Sequence, residues 1–118
     1  MSGPDPVGSD FHAALPLDKL REGSMRACDI LGREVLFCRS PEGVFALDNI
    51  CTHAEERMSE GRLRGTRVVC PLHGAAFDIR DGRVLSGPAT QPLSVYSTRV
   101  VDGIIEVSRS PKNESQGS

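Results

Sequence analysis

The chain has 118 residues, of which 38% are hydrophobic and 25% charged, with a formal net charge of −2 at pH 7. This length predicts one domain with a modest core, and an acidic balance without a Lys/Arg run argues against nucleic acid or membrane surfaces as partners. Tryptophan is absent and tyrosine occurs once, so an aromatic-lined substrate pocket is not expected.

Period-two alternation and frequent turn residues predict small antiparallel sheets with little helix. Residues 1–9 and 109–118 are rich in Gly, Pro, Ser and charge, so we expect mobile tails on either side of a single domain at 10–108. In the first half, the predicted elements are a strand at Phe11 to Ala14, a helical turn near Leu17 to Arg21, a hairpin of Met25 to Ile30 and Arg33 to Arg39 across Leu31-Gly32, and a strand at Val44 to Asp48.

The second half continues the strand pattern. Predicted here are Val68-Val69, Ala76 to Ile79, a turn at Asp81-Gly82, and a closing hairpin of Leu93 to Val101 and Ile104 to Val107 across Asp102-Gly103. We therefore predict an all-β fold, a small antiparallel sandwich or incomplete barrel, interrupted by a hairpin subdomain at about residues 45–90.

Two Cys/His pairs lie in that subdomain. Cys51-Thr52-His53 and Cys70-Pro71-Leu72-His73 each combine one thiol with one imidazole, and sixteen residues separate them. Thiolate and imidazole ligands suit zinc or iron, whereas calcium and magnesium prefer oxygen. The pattern therefore predicts a four-ligand metal site made from Cys51, His53, Cys70 and His73.

The order of the ligands favours iron over zinc. Zinc fingers usually present a Cys pair and then a His pair on a helix, whereas here each half is mixed and Pro71 and Gly74 place the second half on a loop. A two-iron cluster that takes two thiolates on one iron and two imidazoles on the other suits such mixed halves. A zinc-stabilised binding module is the alternative.

Further residues extend the pattern beyond the ligands. With Cys-Thr-His at 51–53, Cys-Pro-Leu-His-Gly at 70–74, Phe77-Asp78 and Gly87-Pro88-Ala89, the chain resembles the Rieske family. The resemblance implies the Rieske fold and one [2Fe-2S] cluster per chain. Cys51 and Cys70 would hold the inner iron, and His53 and His73 the more exposed outer iron.

The chain departs from the Rieske proteins of cytochrome bc complexes at four positions. Glu56 and Leu72 stand where those proteins have a pair of disulfide-forming cysteines, and Ala75 and Phe77 stand where they have hydroxyls near the cluster sulfurs. Because hydrogen bonds to the sulfurs stabilise the reduced state, their absence predicts a potential at the low end of the Rieske range, roughly −150 mV.

The branch with these features is the soluble Rieske ferredoxins. Resemblance to them implies an electron carrier, not an enzyme, that links an NAD(P)H-dependent ferredoxin reductase to a terminal aromatic-ring dioxygenase. Partners would dock transiently over the His53/His73 tip, and a small subunit of a nitrite-reductase-type enzyme is the alternative. The expected contact residues are Glu55, Glu56, Arg57, Met58, Leu72 and Pro88.

The other two cysteines and the third histidine are not predicted to be metal ligands. Cys28 and Cys38 lie in apolar stretches and are predicted to be core thiols without a disulfide. His12 is expected to be a strand or surface residue. No stretch reaches 18 apolar residues and the N-terminus has no signal-peptide pattern, so we expect a cytoplasmic protein.

Overall fold

The computed structural model describes residues 11–51, 56–71, 74–87 and 91–112. Within these ranges the chain forms ten strands in two antiparallel sheets, and its helical segments are the 3₁₀ turns Leu17–Lys19 and Met58–Glu60. The all-β prediction is confirmed. The strands are β1 (Phe11–Pro16), β2 (Met25–Ile30), β3 (Arg33–Ser40), β4 (Gly43–Asp48), β5 (Arg62–Arg64), β6 (Arg67–Val69), β7 (Ala76–Asp78), β8 (Val84–Ser86), β9 (Val95–Val101) and β10 (Ile104–Pro111).

The larger sheet has six strands in the order β1-β10-β9-β4-β3-β2, and it curls until its two edge strands approach each other. Both predicted base hairpins are present. Leu31-Gly32 has φ values of 53° and 89°, and Asp102-Gly103 has 52° and 78°, so two consecutive residues with positive φ make the tight turn that suits twisted strands.

The central strands of this sheet are apolar on both faces. In β3, Val35 and Phe37 point into one core cluster, while Leu36 and Cys38 point into another. The first cluster is closed by β1 and β10, and the second packs against the smaller sheet. Because successive side chains of β3 point to opposite faces, this one strand packs against both the base of the fold and the inserted subdomain.

The smaller sheet has the order β5-β6-β7-β8 and spans residues 62–86, inside the range of about 45–90 where a hairpin subdomain was predicted. Leu63 pairs with Val68, and Val68 with Phe77, so an apolar row crosses three of its strands. Strands β5 and β8 were not predicted. Each has three residues, too few for an alternating pattern to stand out from a loop.

The end of the last strand differs from the prediction. The C-terminal tail was expected from residue 109, but β10 continues to Pro111. After a register shift, Pro111 pairs with Tyr96, and the Lys112 N–H donates to the Val95 carbonyl at 2.7 Å. The other tail positions, 1–9 and 113–118, lie outside the described residues. No helix in the described ranges is long and apolar enough to cross a bilayer.

Candidate metal centre

The two predicted thiol ligands lie in one buried cluster. Cys51 is 2% exposed and Cys70 1% exposed, and neither forms a disulfide. They share the cluster with Met58, Ala75 and Phe77, all fully buried. His53 and His73 lie outside the described residues, so the four-ligand set remains a prediction.

Each cysteine begins a loop of the same construction. The Cys51 N–H donates to the Glu56 carbonyl at 2.8 Å, and the Cys70 N–H donates to the Ala75 carbonyl at 2.7 Å. Both hydrogen bonds join residues five positions apart, and each enclosed segment contains one of the two histidines. A backbone hydrogen bond therefore holds the ends of each histidine-bearing segment together beside a thiol.

A polar network around the buried Asn49 fixes the chain on both sides of the first loop. The fully buried Asn49 side chain donates to Glu34 Oε1 at 2.9 Å and to Ser59 Oγ at 3.2 Å, and it accepts from the Ser59 N–H at 2.9 Å. The Met58 N–H donates to the Asn49 carbonyl at 2.6 Å. Asn49 thus ties the residues before Cys51 to those after the loop.

Arg57 completes this network. Its Nε and Nη2 donate to the two carboxylate oxygens of Glu34 at 3.0 and 3.1 Å. These hydrogen bonds, together with that from Asn49, lower the pKa of Glu34. Glu34 and Asn49 were not predicted from the sequence, although a polar Asn two residues before an expected ligand was an available signal.

The two ligand loops meet at Gly61. A side-chain Cβ placed on Gly61 would lie 1.8 Å from the Val69 carbonyl oxygen and 3.2 Å from Pro71 Cδ, on either side of Cys70. Only a residue without a side chain allows this approach. Gly61 follows the 3₁₀ turn that ends the first loop, so this contact sets how closely the second loop lies to the first.

The strand after the second loop is anchored by a buried carboxylate. Asp78 is 2% exposed, and its oxygens pair with Arg80 at 2.8 Å and Arg83 at 3.6 Å. Hydrogen bonding from Arg80 lowers the pKa of Asp78. Asp78 follows directly on Phe77, so the ion pairs hold one wall of the thiol cluster.

The donor set fits a [2Fe-2S] group with mixed ligands. Two thiols converge in an apolar interior, where a low dielectric favours a cluster of about zero formal charge over one carrying about −2. Ala75 and Phe77 carry no hydroxyl and are fully buried in the same cluster. These two residues therefore provide an apolar surrounding, as the predicted low potential requires.

The side chains of the other two cysteines, Cys28 and Cys38, lie in different clusters. Cys38 points into the cluster that contains Cys51 and Cys70, whereas Cys28 packs on the opposite face of the sheet, and neither forms a disulfide. Burial raises the pKa of Cys38 to about 12 and raises that of Cys28. Cys38 is a core thiol, as predicted, whereas Cys28 is only half-buried against its cluster. His12 lies half-buried in β1, also as predicted.

One predicted contact residue was wrong. Met58 is fully buried, because the 3₁₀ turn that it begins places its side chain in the core cluster that contains Cys51. Arg57 is exposed but pairs with Glu34, and Glu56 is half-buried. The other expected contacts, Glu55, Leu72 and Pro88, lie outside the described residues, as does most of the Gly87-Pro88-Ala89 motif.

Most of the chain is similar in sequence to known proteins. Residues 10–97 match the sequence profile of the Rieske [2Fe-2S] domain. The anthranilate 1,2-dioxygenase ferredoxin subunit of Burkholderia cepacia is 33% identical over 99 residues, which cover 84% of this chain and 92% of that protein. The ferredoxin component of the naphthalene 1,2-dioxygenase system of Pseudomonas putida is 34% identical, over 74% of this chain and 84% of its own.

Solved structures agree with the sequence matches. A complex of reduced oxygenase and oxidised ferredoxin in carbazole 1,9a-dioxygenase contains a similar chain, with a TM-score of 0.83, 29% identity, and coverage of 87% of this chain and 96% of that one. A putative NADH-dependent nitrite reductase small subunit from Mycobacterium tuberculosis has a TM-score of 0.75 and 28% identity, covering 85% of this chain and 95% of its own. The zinc-stabilised binding module predicted as an alternative is therefore set aside in favour of an iron–sulfur cluster. The chain belongs to the Rieske [2Fe-2S] domain family.

Proposed function

We propose that this protein is a one-electron carrier that takes electrons from an NAD(P)H-dependent reductase and delivers them to a terminal ring-hydroxylating dioxygenase. The observation that carries the proposal is similarity, over nearly the whole length of the relatives, to ferredoxin components of dioxygenase systems. The protein itself is a carrier and not an enzyme, like the ferredoxin components that it resembles.

The ligand assignment is part of the proposal. Cys51 and Cys70 hold one iron through their thiolates, and His53 and His73 hold the other through imidazole nitrogens. Burial of both thiols in one cluster supports this assignment, as does the placement of each histidine in a loop that begins at a cysteine. When bound, the cluster supplies one-electron oxidation and reduction near the low end of the Rieske range, roughly −150 mV.

The chain's own residues control access to this centre. Met58, Ala75 and Phe77 exclude water from the thiol side, so electrons enter and leave from the histidine side. Partners dock transiently over the His53/His73 tip, because a carrier must leave one partner before it meets the next.

The nitrite-reductase alternative has narrower support. A solved small subunit of that type shares the fold at 28% identity, whereas the ferredoxin relatives come from dioxygenase systems for several different substrates. We also propose that the protein works in the cytoplasm. The unpaired thiols Cys28 and Cys38 support this location, since oxidising compartments favour disulfides.

Reconstitution tests the proposed function. The purified holo-protein is combined with a reductase, NADH and a ring-hydroxylating oxygenase, and product formation is measured against protein concentration. Turnover should rise with holo-protein and be absent with the Cys51→Ser/Cys70→Ser variant. Electron delivery to a nitrite reductase large subunit, without delivery to any oxygenase, would overturn the assignment.

A further inference from the structure

Three arginines occupy one face of the β5–β6 hairpin. Arg62, Arg64 and Arg67 are all exposed, and Arg64 pairs directly with Arg67 while Arg62 pairs with Val69. Paired residues of antiparallel strands point to the same side, so the three guanidinium groups share a face. Leu63 and Val68 between them point to the opposite side, where Leu63 packs against the core cluster that contains Val68. We call this surface the arginine face.

The arginine face differs from the rest of the subdomain in its charge pairing. Arg57, Arg80 and Arg83 each form an ion pair with a carboxylate. Among the residues that the structure describes, no carboxylate pairs with a guanidinium of the arginine face. Like charges directly opposite each other destabilise a sheet, so the pairing of Arg64 with Arg67 weakens the hairpin. The stability of the fold therefore does not explain why both positions are arginine.

The arginine face reaches the second ligand loop through Arg62. Arg62 and Glu60 are the charged residues that line one open groove with Gly61, Cys70, Pro71 and Gly74. The described residues between 56 and 87 contain six arginines and four carboxylates, whereas the whole chain has a net charge of −2. The charge balance of these described residues therefore has the opposite sign to that of the protein as a whole.

We propose that the arginine face docks against an acidic patch on the terminal oxygenase and directs the second ligand loop toward the oxygenase. This proposal rests on the proposed function. A solved neighbour of this fold is bound to an oxygenase, which is why the oxygenase is chosen over the reductase. The open, exposed shape of the face suits a protein surface rather than a small anion. The acidic balance of the whole chain disfavours a nucleic acid.

This arrangement has a kinetic signature. Charge complementarity at an interface speeds encounter more than it tightens the complex, and salt screens the effect. Electrostatic steering raises association rates by about 10 to 1,000-fold. The arginine face should thus control the rate constant for electron delivery to the oxygenase at low salt and lose that control at high salt.

The test compares two triple variants with equal changes in net charge. R62E/R64E/R67E reverses the arginine face, and K19E/R21E/R26E reverses three exposed cations of the base that form no ion pair with described residues. Arg64 and Arg67 remain a like-charge pair after reversal, so hairpin stability should change little. Iron and sulfide content and thermal unfolding verify that both variants fold and load.

Oxidation of each dithionite-reduced holo-protein by the oxygenase is followed by stopped-flow absorbance. In about 20 mM salt the face variant should react roughly tenfold or more slowly than the base variant, and the two should converge in about 500 mM salt. Equal rates in the two variants at low salt would overturn the proposal. A defect confined to reduction by the reductase would overturn the choice of the oxygenase as the partner. Failure of the wild-type protein to reduce the oxygenase would instead sink the proposed function and the arginine-face proposal with it.

Discussion

Replacing Gly61 with alanine should separate the two ligand loops. The added Cβ would lie 1.8 Å from the Val69 carbonyl oxygen, and that oxygen would have to move by about 1.2 Å to reach even a 3.0 Å contact. Val69 directly precedes Cys70, and Pro71 Cδ would lie 3.2 Å from the same Cβ. The displacement therefore falls on the backbone that positions the second thiol, and no flexible side chain is available to absorb it.

The expected loss of stability is that of an overpacked site. Overpacking of this kind costs about 1 to 3 kcal/mol, which corresponds to a fall in Tm of roughly 5 to 15 °C for a domain of this size. Cluster loading should fall further than stability alone explains, since a ligand displaced by about 1 Å no longer fits metal–ligand distances that vary by about 0.2 Å.

Gly65 provides the matched control. It has a φ of 61°, and a Cβ placed there would meet no heavy atom within 4 Å. Gly65→Ala should therefore lower stability by about 1 to 2 kcal/mol through backbone strain alone and keep full iron and acid-labile sulfide. Equal iron and sulfide content in the two purified variants would refute the role assigned to Gly61.

Three further predictions concern the ligands and their supports. His53→Cys should lower the potential measured by protein-film voltammetry toward the roughly −400 mV of four-thiolate clusters, and a raised potential would contradict the ligand assignment. Asn49→Ala should destabilise the fold by about 2 to 3 kcal/mol and speed iron loss to a chelator, because the half-buried Glu34 and Ser59 lose their hydrogen bonds and the fully buried Asn49 side chain leaves a gap; unchanged chelation kinetics would argue against its role beside the first loop. Asp78→Asn should lower stability by about 1 to 2 kcal/mol at pH 7. Since the folded pKa of Asp78 lies below its unfolded value of about 3.9, the contribution of Asp78 is present above that pH and is lost as the pH falls through the folded pKa. Unfolding curves of the two proteins should thus converge in acid, and a constant difference down to about pH 2 would disprove the ion-pair account.

The base hairpins and the burial of Cys38 could be predicted from local sequence. Leu31-Gly32 and Asp102-Gly103 lie between alternating strands, and two-residue loops of this kind impose their own register. Cys38 lies in an apolar stretch, so its burial follows from the composition of that stretch. Each of these predictions depends on residues that are close together in the chain.

Features that depend on distant residues could not be predicted. The pairing of β1 with β10 and of β4 with β9 joins opposite parts of the chain, and no short pattern specifies such partners. The burial of Met58 and the ion pairs of Asp78 likewise depend on what the tertiary fold brings alongside. The contact between Gly61 and the Val69 carbonyl is similar, because a glycine in the sequence does not reveal which backbone approaches it.

The most direct test of the account is pulsed electron–nuclear double resonance on the dithionite-reduced protein, grown with ¹⁵N-labelled histidine. The chain contains three histidines, and the account predicts couplings from two of them bound to iron, lost one at a time in His53 and His73 variants and unchanged in a His12→Gln variant. A spectrum without ¹⁵N coupling to iron, or a purified protein with one zinc and no acid-labile sulfide per chain, would contradict it.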